Sequence, residues 1–330
     1  MILVTGGTGL IGSHLLLHLT ESGKSVRAIY RNASSIGKTK ALFHLYNKPA
    51  LFEKIEWIQA DIINIPSLEK AFVGVTHVYH AAALISFDPE DEEKLRKNNI
   101  EGTANIINCC LDFNVQKICH ISSTSALGDL RQNEIILTEE SEWNPEKPHS
   151  DYGISKHGAE MEVFRGQQEG LQAVIVNPGI VIGPGFWNSG SGTLFSMIAN
   201  GMKFYTKGSA GFVDVRDVAI LIRMLTDSEL SGRFIAISEN LTYETVFKAT
   251  AAALHVKAPG IYARPWMTSV AWRTDWFLGL FGKKRIISKE DSFSLHHSEL
   301  ISNEKVKKTL GFEFRNIHDS IIETARYYPK

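Results

Sequence analysis

Short apolar stretches rich in β-branched residues alternate with longer stretches of helical periodicity through the first half of the chain. Helix-like segments lie between most of the apolar stretches, for example at residues 11–21 and 92–113. Near-continuous apolar strands separated by helices are typical of a parallel sheet that is covered on both faces. The pattern therefore predicts an α/β fold with a doubly wound parallel sheet. The predicted strands lie at residues 2–5, 25–30, 54–60, 76–82, 117–122 and 172–177.

Three glycines separate the first predicted strand from the first helix. In the segment ILVTGGTGLIGSHLLLHL, Gly6, Gly9 and Gly12 follow the spacing G-x-x-G-x-x-G. Glycines allow a tight turn and a close approach of the backbone to a pyrophosphate, whose charge meets the helix N-terminus. Because the motif opens a strand–helix–strand unit, it predicts a dinucleotide site on a Rossmann-type sheet rather than a simple strand–helix turn.

The end of the second predicted strand bears on the choice of nucleotide. NAD-binding chains usually carry an acidic residue there for the ribose 2′-hydroxyl, whereas an arginine accommodates the 2′-phosphate of NADP. Here Arg31 and Asn32 follow Tyr30, and no Asp or Glu is near them. The sequence therefore predicts NADP, with NAD as the alternative. Asp61 follows the third predicted strand and either binds the adenine edge or forms a turn.

The character of the chain changes after Pro178. The segment NPGIVIGPGFWNSGSG is rich in glycine and proline, and RFIAIS at residues 233–238 has the composition of a strand that returns to the sheet. Helical stretches separated by loops follow. We predict a dinucleotide-binding domain at residues 1–177, with a returning strand near residues 211–238, and a smaller, interleaved C-terminal substrate-binding cap. The predicted cap comprises residues 178–210 and 239–330.

Composition narrows the function classes. Of the 330 residues, 44% are hydrophobic and 22% charged, and a formal net charge of -1 argues against capture of nucleic acid, which needs a basic face. No apolar stretch reaches the roughly 18–20 residues that span a bilayer, and the opening MILVTGG is interpreted as a strand rather than a signal peptide. Cys109, Cys110 and Cys119 show no disulfide or metal framework, so we expect a cytoplasmic protein.

No metal site is predicted. His14, His18 and Glu21 occupy one face of the first predicted helix at a spacing that a metal site could use. That face is interpreted as solvated, because the helix needs a polar surface. A second segment, at residues 264–285, concentrates tryptophan and phenylalanine before three basic residues. It either packs as a cap helix on the core, lines an apolar substrate pocket or lies on a membrane surface.

Tyr152 and Lys156 form the only Tyr-x-x-x-Lys pair of the chain. The spacing places a cation one helical turn from a phenol, but a single pair of this kind arises readily by chance. Its surroundings are more specific, because seven segments resemble, in order, those of extended short-chain dehydrogenases/reductases. These segments are TGGTGLIG (5–12), VYHAAA (78–83), NNIEGTANII (98–107), HISSTSALG (120–128), YGISK (152–156), NPGIVIGPG (177–185) and FVDVRDVA (212–219).

The carboxyl-terminal part of the chain separates subgroups of this family. Its ending at residues 307–312 and the basic turn before it resemble dihydroflavonol-4-reductase-like and 3β-hydroxysteroid-dehydrogenase-like members. Asn177 departs from the pattern, since many nucleotide-sugar members carry arginine there. Extended members often pair through two helices, here those around residues 92–113 and 151–169, so the resemblance implies a homodimer.

The resemblance implies a role for each member of a candidate catalytic set. Tyr152 would be the general acid/base, and Lys156 would lower the pKa of the tyrosine and bind the nicotinamide ribose. Ser123 would donate a hydrogen bond to the substrate carbonyl, and Asn99 would hold a water or the lysine in a proton relay. Besides Tyr152 and Lys156, the residues implied to bind the cofactor are Gly6, Thr8, Gly9, Leu10, Ile11, Gly12, Arg31, Asp61, Ile62, Ala81, Ala82, Ala83, Pro178, Gly179 and Val181.

Three functions are compatible with these observations. The first is an NADP-dependent reductase that acts on a carbonyl of a small, fairly apolar substrate. The second is a nucleotide-sugar epimerase or dehydratase that retains NAD and grips a diphosphate with basic residues such as Arg216, Arg264 and Arg273. The third is a non-catalytic dinucleotide-binding sensor, although such proteins typically lose the tyrosine or the lysine. The sequence favours the reductase, with a small carbonyl or alcohol compound as its partner.

Overall fold

The structure is a computed structural model that describes residues 1–86, 88–279 and 289–329. The described residues contain fourteen strands and fourteen α-helices. The strands are β1 (Ile2–Thr5), β2 (Val26–Tyr30), β3 (Ile55–Gln59), β4 (His77–His80), β5 (Lys117–Ile121), β6 (Ile136–Leu137), β7 (Gln172–Pro178), β8 (Ile180–Ile182), β9 (Phe204–Tyr205), β10 (Ser209–Asp214), β11 (Gly232–Ala236), β12 (Glu239–Thr242), β13 (Ile261–Tyr262) and β14 (Leu300–Ile301). The helices are α1 (Leu10–Glu21), α2 (Ala33–Leu45), α3 (Pro49–Phe52), α4 (Ile65–Phe72), α5 (Glu92–Leu95), α6 (Gly102–Asp112), α7 (Asp151–Gln168), α8 (Gly192–Ala199), α9 (Val215–Thr226), α10 (Tyr243–Ala253), α11 (Pro265–Gly279), α12 (Lys289–Ser294), α13 (Glu304–Leu310) and α14 (Ile317–Arg326).

Seven parallel strands form the central sheet in the order β11–β7–β5–β4–β1–β2–β3. This arrangement confirms the predicted doubly wound parallel sheet, and all six strands predicted in the first half of the chain belong to it. The order reverses between β1 and β4, which is the switch point where doubly wound sheets bind ligands beyond the carboxyl ends of their strands. The glycine turn after β1 and the segment after β4 therefore lie side by side.

Successive residues of each strand contribute to opposite faces of the sheet. Val4 of β1 and Cys119 of β5 belong to one buried core, whereas Leu3 and Ile118 belong to the other. The first core includes the apolar faces of α1 and α9, and the second includes those of α4, α6 and α7. Because helices cover both faces, the strands are apolar along their whole length, and this is the pattern from which the fold was predicted.

A second set of elements is interleaved with the central sheet. β8, β10 and β12 form a three-stranded sheet, and α8, α10 and α14 pack with it around Phe195, Phe212 and Ile321. Within the predicted returning segment near residues 211–238, β11 joins the central sheet next to β7, whereas β10 belongs to the smaller sheet. The division of the chain into two domains stays a prediction.

The helix predicted over residues 92–113 is not a continuous α-helix. α5 is followed by a π-helix at Arg96–Glu101, and α6 begins at Gly102. A π-helix closes wider turns than an α-helix and occurs frequently at functional sites. Hydrophobic periodicity does not reveal such a change, because the apolar positions before and after it still face the core. Asn99, one of the predicted site residues, lies inside the π-helix.

Of the three residues on the face of α1 that was interpreted as solvated, Glu21 is exposed and His18 partly buried, but for His14 the interpretation is wrong. His14 is only 3% exposed; its Nδ1 lies 2.9 Å from the carbonyl oxygen of Leu10, and its Nε2 lies 3.2 Å from the hydroxyl of Tyr46. Burial lowers the pKa of His14 to about 4. Among the residues that the structure describes, no group of three His, Cys, Asp or Glu side chains could hold a metal ion.

Part of the aromatic segment at residues 264–285 forms α11, whereas Phe281 and the basic residues after it lie outside the described ranges. Trp266, Trp276 and Phe277 expose half or more of their side chains. For these three residues the interpretation of a helix packed on the core is therefore wrong. Within the described parts of the chain, no helix is both long and apolar enough to cross a lipid bilayer.

Candidate active site

The glycine turn between β1 and α1 is packed so closely that side chains could not be accommodated at two positions. Gly6 has a φ of 68°, and a Cβ there would lie 2.5 Å from the carbonyl carbon and oxygen of Ala81. A Cβ on Gly12 would lie 2.2 Å from the carbonyl oxygen of Gly6. The turn thus brings the N-terminus of α1 against the segment after β4, where the first amides of the helix are available to a phosphate. This arrangement fits a dinucleotide.

Three cavities that share lining residues contain every residue predicted to bind the cofactor. The main cleft has a volume of about 640 Å³. Of the predicted residues it is lined by Gly6, Gly9, Leu10, Ile11, Gly12, Ala81, Ala83, Tyr152, Lys156, Pro178, Gly179 and Val181. A second cavity adds Thr8, Arg31, Ile62 and Ala82. The third, which we call the Arg31 cavity, contains Arg31 and Asp61.

Arg31 lies at the end of β2 with an exposed side chain, between the second cavity and the Arg31 cavity. One of its guanidinium nitrogens donates to Oδ1 of Asn98 at 3.4 Å. Asp61 accepts a hydrogen bond from the backbone amide of Ile63 at 3.1 Å, which is the turn-forming role considered for it. Its contact with an adenine stays a prediction. Asn98 could not be singled out from the sequence, because its neighbour Asn99 matched the family motif.

Tyr152 and Ser123 meet at the carboxyl end of the central sheet. α7 begins at Asp151, where the side chain of Ser150 accepts from the amide of Gly153 and caps the helix. This places Tyr152 in the first helical turn, where its hydroxyl forms a hydrogen bond with the side chain of Ser123. Ser123 follows β5, and its Oγ also accepts from the amide of Ser125 at 3.1 Å.

Lys156 lies one turn along α7 and is 1% exposed. Its Nζ donates to the carbonyl oxygen of Ile121 at 2.8 Å, which fixes the ammonium at the end of β5. Burial lowers the pKa of Lys156 to about 8, and the charge of Glu160 acts in the opposite direction. The group is therefore still largely protonated at neutral pH.

The resemblance predicts that Lys156 lowers the pKa of Tyr152. In the protein without a bound nucleotide, this pKa is raised instead. Burial raises the pKa of Tyr152 to about 12, and the hydrogen bond with Ser123 offsets only part of that effect. Desolvation is the largest cause, because the phenolate would have to be formed out of water. Tyr152 is therefore a neutral phenol at neutral pH, which is the protonation state of a proton donor.

Asn99 is buried, and its side-chain amide forms hydrogen bonds with the backbone of Leu84 and the side chain of Ser155. Its Oδ1 accepts from the amide of Leu84 at 2.7 Å, and its Nδ2 donates to the carbonyl oxygen of Leu84 at 3.0 Å and to Oγ of Ser155 at 2.9 Å. The structure shows no direct hydrogen bond between Asn99 and Lys156, whose Nζ donates to the carbonyl oxygen of Ile121. Asn99 instead ties the segment after β4 to α7, and its part in a proton relay stays a prediction.

Glu160 is a buried charged residue of this site that the motif search did not single out. It follows Lys156 by four residues on α7 and is 0% exposed. Its Oε1 accepts from Nδ2 of Asn177 at 2.6 Å, and its Oε2 lies 3.7 Å from Arg233. The i, i+4 spacing from Lys156 was the available signal, because it places both charges on one helix face.

Beyond Ser123 and Tyr152 the main cleft continues between aliphatic side chains, including Ile85, Leu137 and Ile301. Of the described residues that line it, Lys156 is the only lysine or arginine. The three arginines considered for a diphosphate lie elsewhere among the described residues. Arg216 is paired with Asp214 and Glu323, and Arg264 and Arg273 are exposed residues that do not line the cleft.

Comparison with known proteins identifies the family. The family model described as the NAD dependent epimerase/dehydratase family matches residues 2–237. The chain belongs to this family. A tetraketide alpha-pyrone reductase 2 from Arabidopsis thaliana is 32% identical over 251 aligned residues, which cover 72% of this chain and 77% of that protein. A dihydroflavonol 4-reductase from Zea mays is 27% identical over 262 aligned residues, which cover 73% of this chain and 71% of that protein.

The crystal structure of gox2253 is also similar to this member of the epimerase/dehydratase family. It superposes with a TM-score of 0.81 at 27% identity and covers 99% of this chain and 97% of that chain. The resemblance to extended short-chain dehydrogenases/reductases of the dihydroflavonol-4-reductase-like group is thereby confirmed, as is the prediction of an enzyme of the oxidoreductase type. The preference for NADP, the homodimer and the cytoplasmic location stay predictions.

Proposed function

We propose that the protein is an NADPH-linked reductase of a carbonyl group on a small, fairly apolar substrate. The observation that carries this proposal is the lining of the main cleft beyond Ser123 and Tyr152. Its lining there is largely apolar, and Lys156 is the only lysine or arginine among the described lining residues. A nucleotide sugar carries a diphosphate that basic side chains normally grip, so this lining favours an uncharged carbonyl compound.

The side chains of Ser123 and Tyr152 suit proton donation to a carbonyl oxygen. The hydroxyl of Ser123 would donate a hydrogen bond to that oxygen, and the phenol of Tyr152 would transfer its proton as negative charge develops there. The raised pKa of Tyr152 keeps this proton in place at neutral pH. The ammonium of Lys156 would stabilise the resulting phenolate one helical turn away. The bound nicotinamide supplies the hydride.

The proposed preference for NADP depends on Arg31. Its exposed guanidinium lies beside Asn32 in the Arg31 cavity, and α2 starts at the next residue. A 2′-phosphate needs such a cation, whereas a free 2′-hydroxyl needs a carboxylate acceptor at the end of β2. The tip of β2 carries no carboxylate, and Asp61 across the cavity already accepts from the amide of Ile63.

The second candidate is a nucleotide-sugar epimerase or dehydratase that retains NAD, because the family to which the chain belongs is described as NAD dependent epimerase/dehydratase. Assays separate the two. We expect purified protein with NADPH to reduce apolar ketones or aldehydes, as followed by NADPH absorbance, and Tyr152→Phe to abolish that turnover. Interconversion of nucleotide sugars by protein that reduces none of the carbonyl compounds would overturn the proposal.

A further inference from the structure

The lining of the main cleft includes a polar group that differs from the aliphatic side chains named above. Nε2 of His297 lies 3.2 Å from Oε1 of Glu299, and each side chain is nearly half exposed. The ring of Phe293 stacks on the imidazole of His297 with centroids 5.3 Å apart and an interplanar angle of 24°. All three residues line the cleft that also contains Tyr152. We call them the distal group, because they belong to α12 and to the segment before β14 rather than to the elements that carry Ser123 and Tyr152.

The backbone that carries the distal group is hydrogen-bonded to the start of β10. The amide of Gly208 donates to the carbonyl oxygen of Leu295 at 3.2 Å, and the amide of Ser209 donates to that of His297 at 3.0 Å. A Cβ on Gly208 would lie 2.5 Å from the oxygen of Leu295, so glycine is required for this approach. The strand that follows, β14, pairs with β6. The pair His297 and Glu299 is therefore preorganised rather than part of a loose segment.

Charge determines which ligand group could lie beside Glu299. Glu299 is the only Asp or Glu among the described residues that line the cleft, and the only Lys or Arg among them, Lys156, is buried one helical turn from Tyr152. A carboxylate accepts hydrogen bonds and attracts cations, whereas a ligand carboxylate or phosphate placed beside it would be repelled. The aromatic faces of Phe293 and His297 add a flat apolar surface next to this acceptor.

We infer that Phe293, His297 and Glu299 form a distal recognition subsite for a hydrogen-bond donor, a hydroxyl or an ammonium group, at the end of the substrate opposite its carbonyl. The inference rests on the proposed function and narrows it. The substrate class is then a carbonyl compound with an apolar or aromatic body, a donor at its far end and no anionic group there.

Substrate analogues that differ only at the far end test the subsite. The probes are benzylacetone and its para-hydroxy, para-aminomethyl and para-carboxy derivatives, each also with a chain one or two carbons longer between ring and ketone. With NADPH as the reductant, we expect kcat/KM for the hydroxy and aminomethyl probes to exceed that for the parent by about tenfold at the best chain length. The carboxy probe should be the poorest.

Variants of Glu299 distinguish recognition of a hydroxyl group from recognition of an ammonium group. Glu299→Gln keeps an acceptor oxygen but removes the charge, so the preference for the hydroxyl should persist in part while that for the ammonium disappears. Glu299→Lys should reverse the order and make the carboxy probe the best. Glu313→Lys makes the same charge change at an exposed position outside the cleft lining and should leave the wild-type order intact.

Two outcomes are distinguishable. Reduction of all probes with equal kcat/KM in the wild type, and an unchanged order in Glu299→Lys, would overturn the subsite and leave the reductase standing. If no probe is reduced, the proposed function fails, and the subsite is then judged by ligand-induced shifts of Tm in the presence of NADPH. The same ranking by Tm shift would support the subsite, and equal shifts for all probes would overturn it.

Discussion

Asn177 donates a hydrogen bond of 2.6 Å from Nδ2 to Oε1 of Glu160, a carboxylate with no exposed surface. The other oxygen of Glu160 lies 3.7 Å from the guanidinium of Arg233 on the neighbouring strand β11. Glu160 also follows Lys156 by one helical turn, so one buried carboxylate stands between two cations.

Removing the charge of Glu160 should shift the pH dependence of the reaction. Burial lowers the pKa of Lys156 to about 8, and Glu160 opposes that effect. Without the carboxylate the pKa falls further, so the ammonium is lost at a lower pH. We expect Glu160→Gln to move the alkaline limb of the kcat/KM profile down by about one pH unit.

The control is Glu162→Gln, on the same helix, which removes a partly exposed partner of Arg165 and should leave the limb in place. An alkaline limb at the same pH in Glu160→Gln and in the wild type would mean that Glu160 does not stabilise the Lys156 ammonium.

Tyr152→Phe should separate proton transfer from nucleotide binding. The change deletes the phenolic proton and leaves the ring, so we expect kcat to fall by a factor of about 10² to 10⁴. The Kd of NADPH, measured by fluorescence, should change little because the glycine turn and Arg31 are intact. Ser123→Ala should lower kcat by about 10²-fold through the lost hydrogen bond to the carbonyl oxygen. Substantial reduction by Tyr152→Phe would contradict this assignment.

Buried neutral histidines should make the protein sensitive to mild acid. Burial lowers the pKa of His14 to about 4 and that of His80 to about 3. In the unfolded chain these histidines therefore bind protons near pH 6.5, whereas in the folded chain they stay neutral at that pH. Stability is complete above this pH and is lost as the pH falls towards the folded-state values, by up to about 1.4 kcal/mol per pH unit for each histidine.

Urea unfolding between about pH 7.5 and about pH 5 measures this loss in a range where most carboxylates stay ionised. His14→Gln should flatten the dependence, and His318→Gln, at an exposed position, should not. A free energy of unfolding that stays constant over this range would show that these histidines are protonated in the folded protein.

The glycine turn offers a matched pair of substitutions. Gly12→Ala places a methyl group 2.2 Å from the carbonyl oxygen of Gly6 and should weaken NADPH binding by at least about tenfold, because the backbone of the turn must move. Gly37→Ala lies in the exposed part of α2 with no atom within 4 Å of the new Cβ. It should leave binding unchanged and stabilise the helix by about 0.5–1 kcal/mol. Equal Kd values for the two variants would contradict the assignment of the turn.

Much of the fold and of the arrangement of the candidate site around Tyr152 was predictable from local sequence. The parallel strands are continuous apolar runs because both faces of the sheet are covered, and their ends lie within about two residues of the predicted ones. The glycine spacing, Tyr152 and Ser123 belong to short segments whose positions follow from the order of the strands. In a doubly wound sheet the topology determines where ligands bind, namely beyond the carboxyl ends of the strands at the point where the strand order reverses.

The remaining features depend on contacts between distant parts of the chain. His14 is polar on a helix, yet it is buried because Tyr46 from the segment after α2 packs on it. The distal group is brought to the main cleft by pairing with the backbone near Gly208, almost ninety residues before it. The pKa of Tyr152 follows from its burial, which the Tyr–Lys spacing does not reveal.

The most direct test of an NADPH-linked reductase is the nucleotide that the purified protein holds and exchanges. Acid release identifies any nucleotide that survives purification, and fluorescence titration compares NADPH with NADH. We predict reversible binding that favours NADPH by at least about tenfold and loses this preference in Arg31→Ala but not in Lys38→Ala, at an exposed position of α2. Tightly held NAD that survives purification and does not exchange with NADPH would contradict the account and favour a nucleotide-sugar substrate.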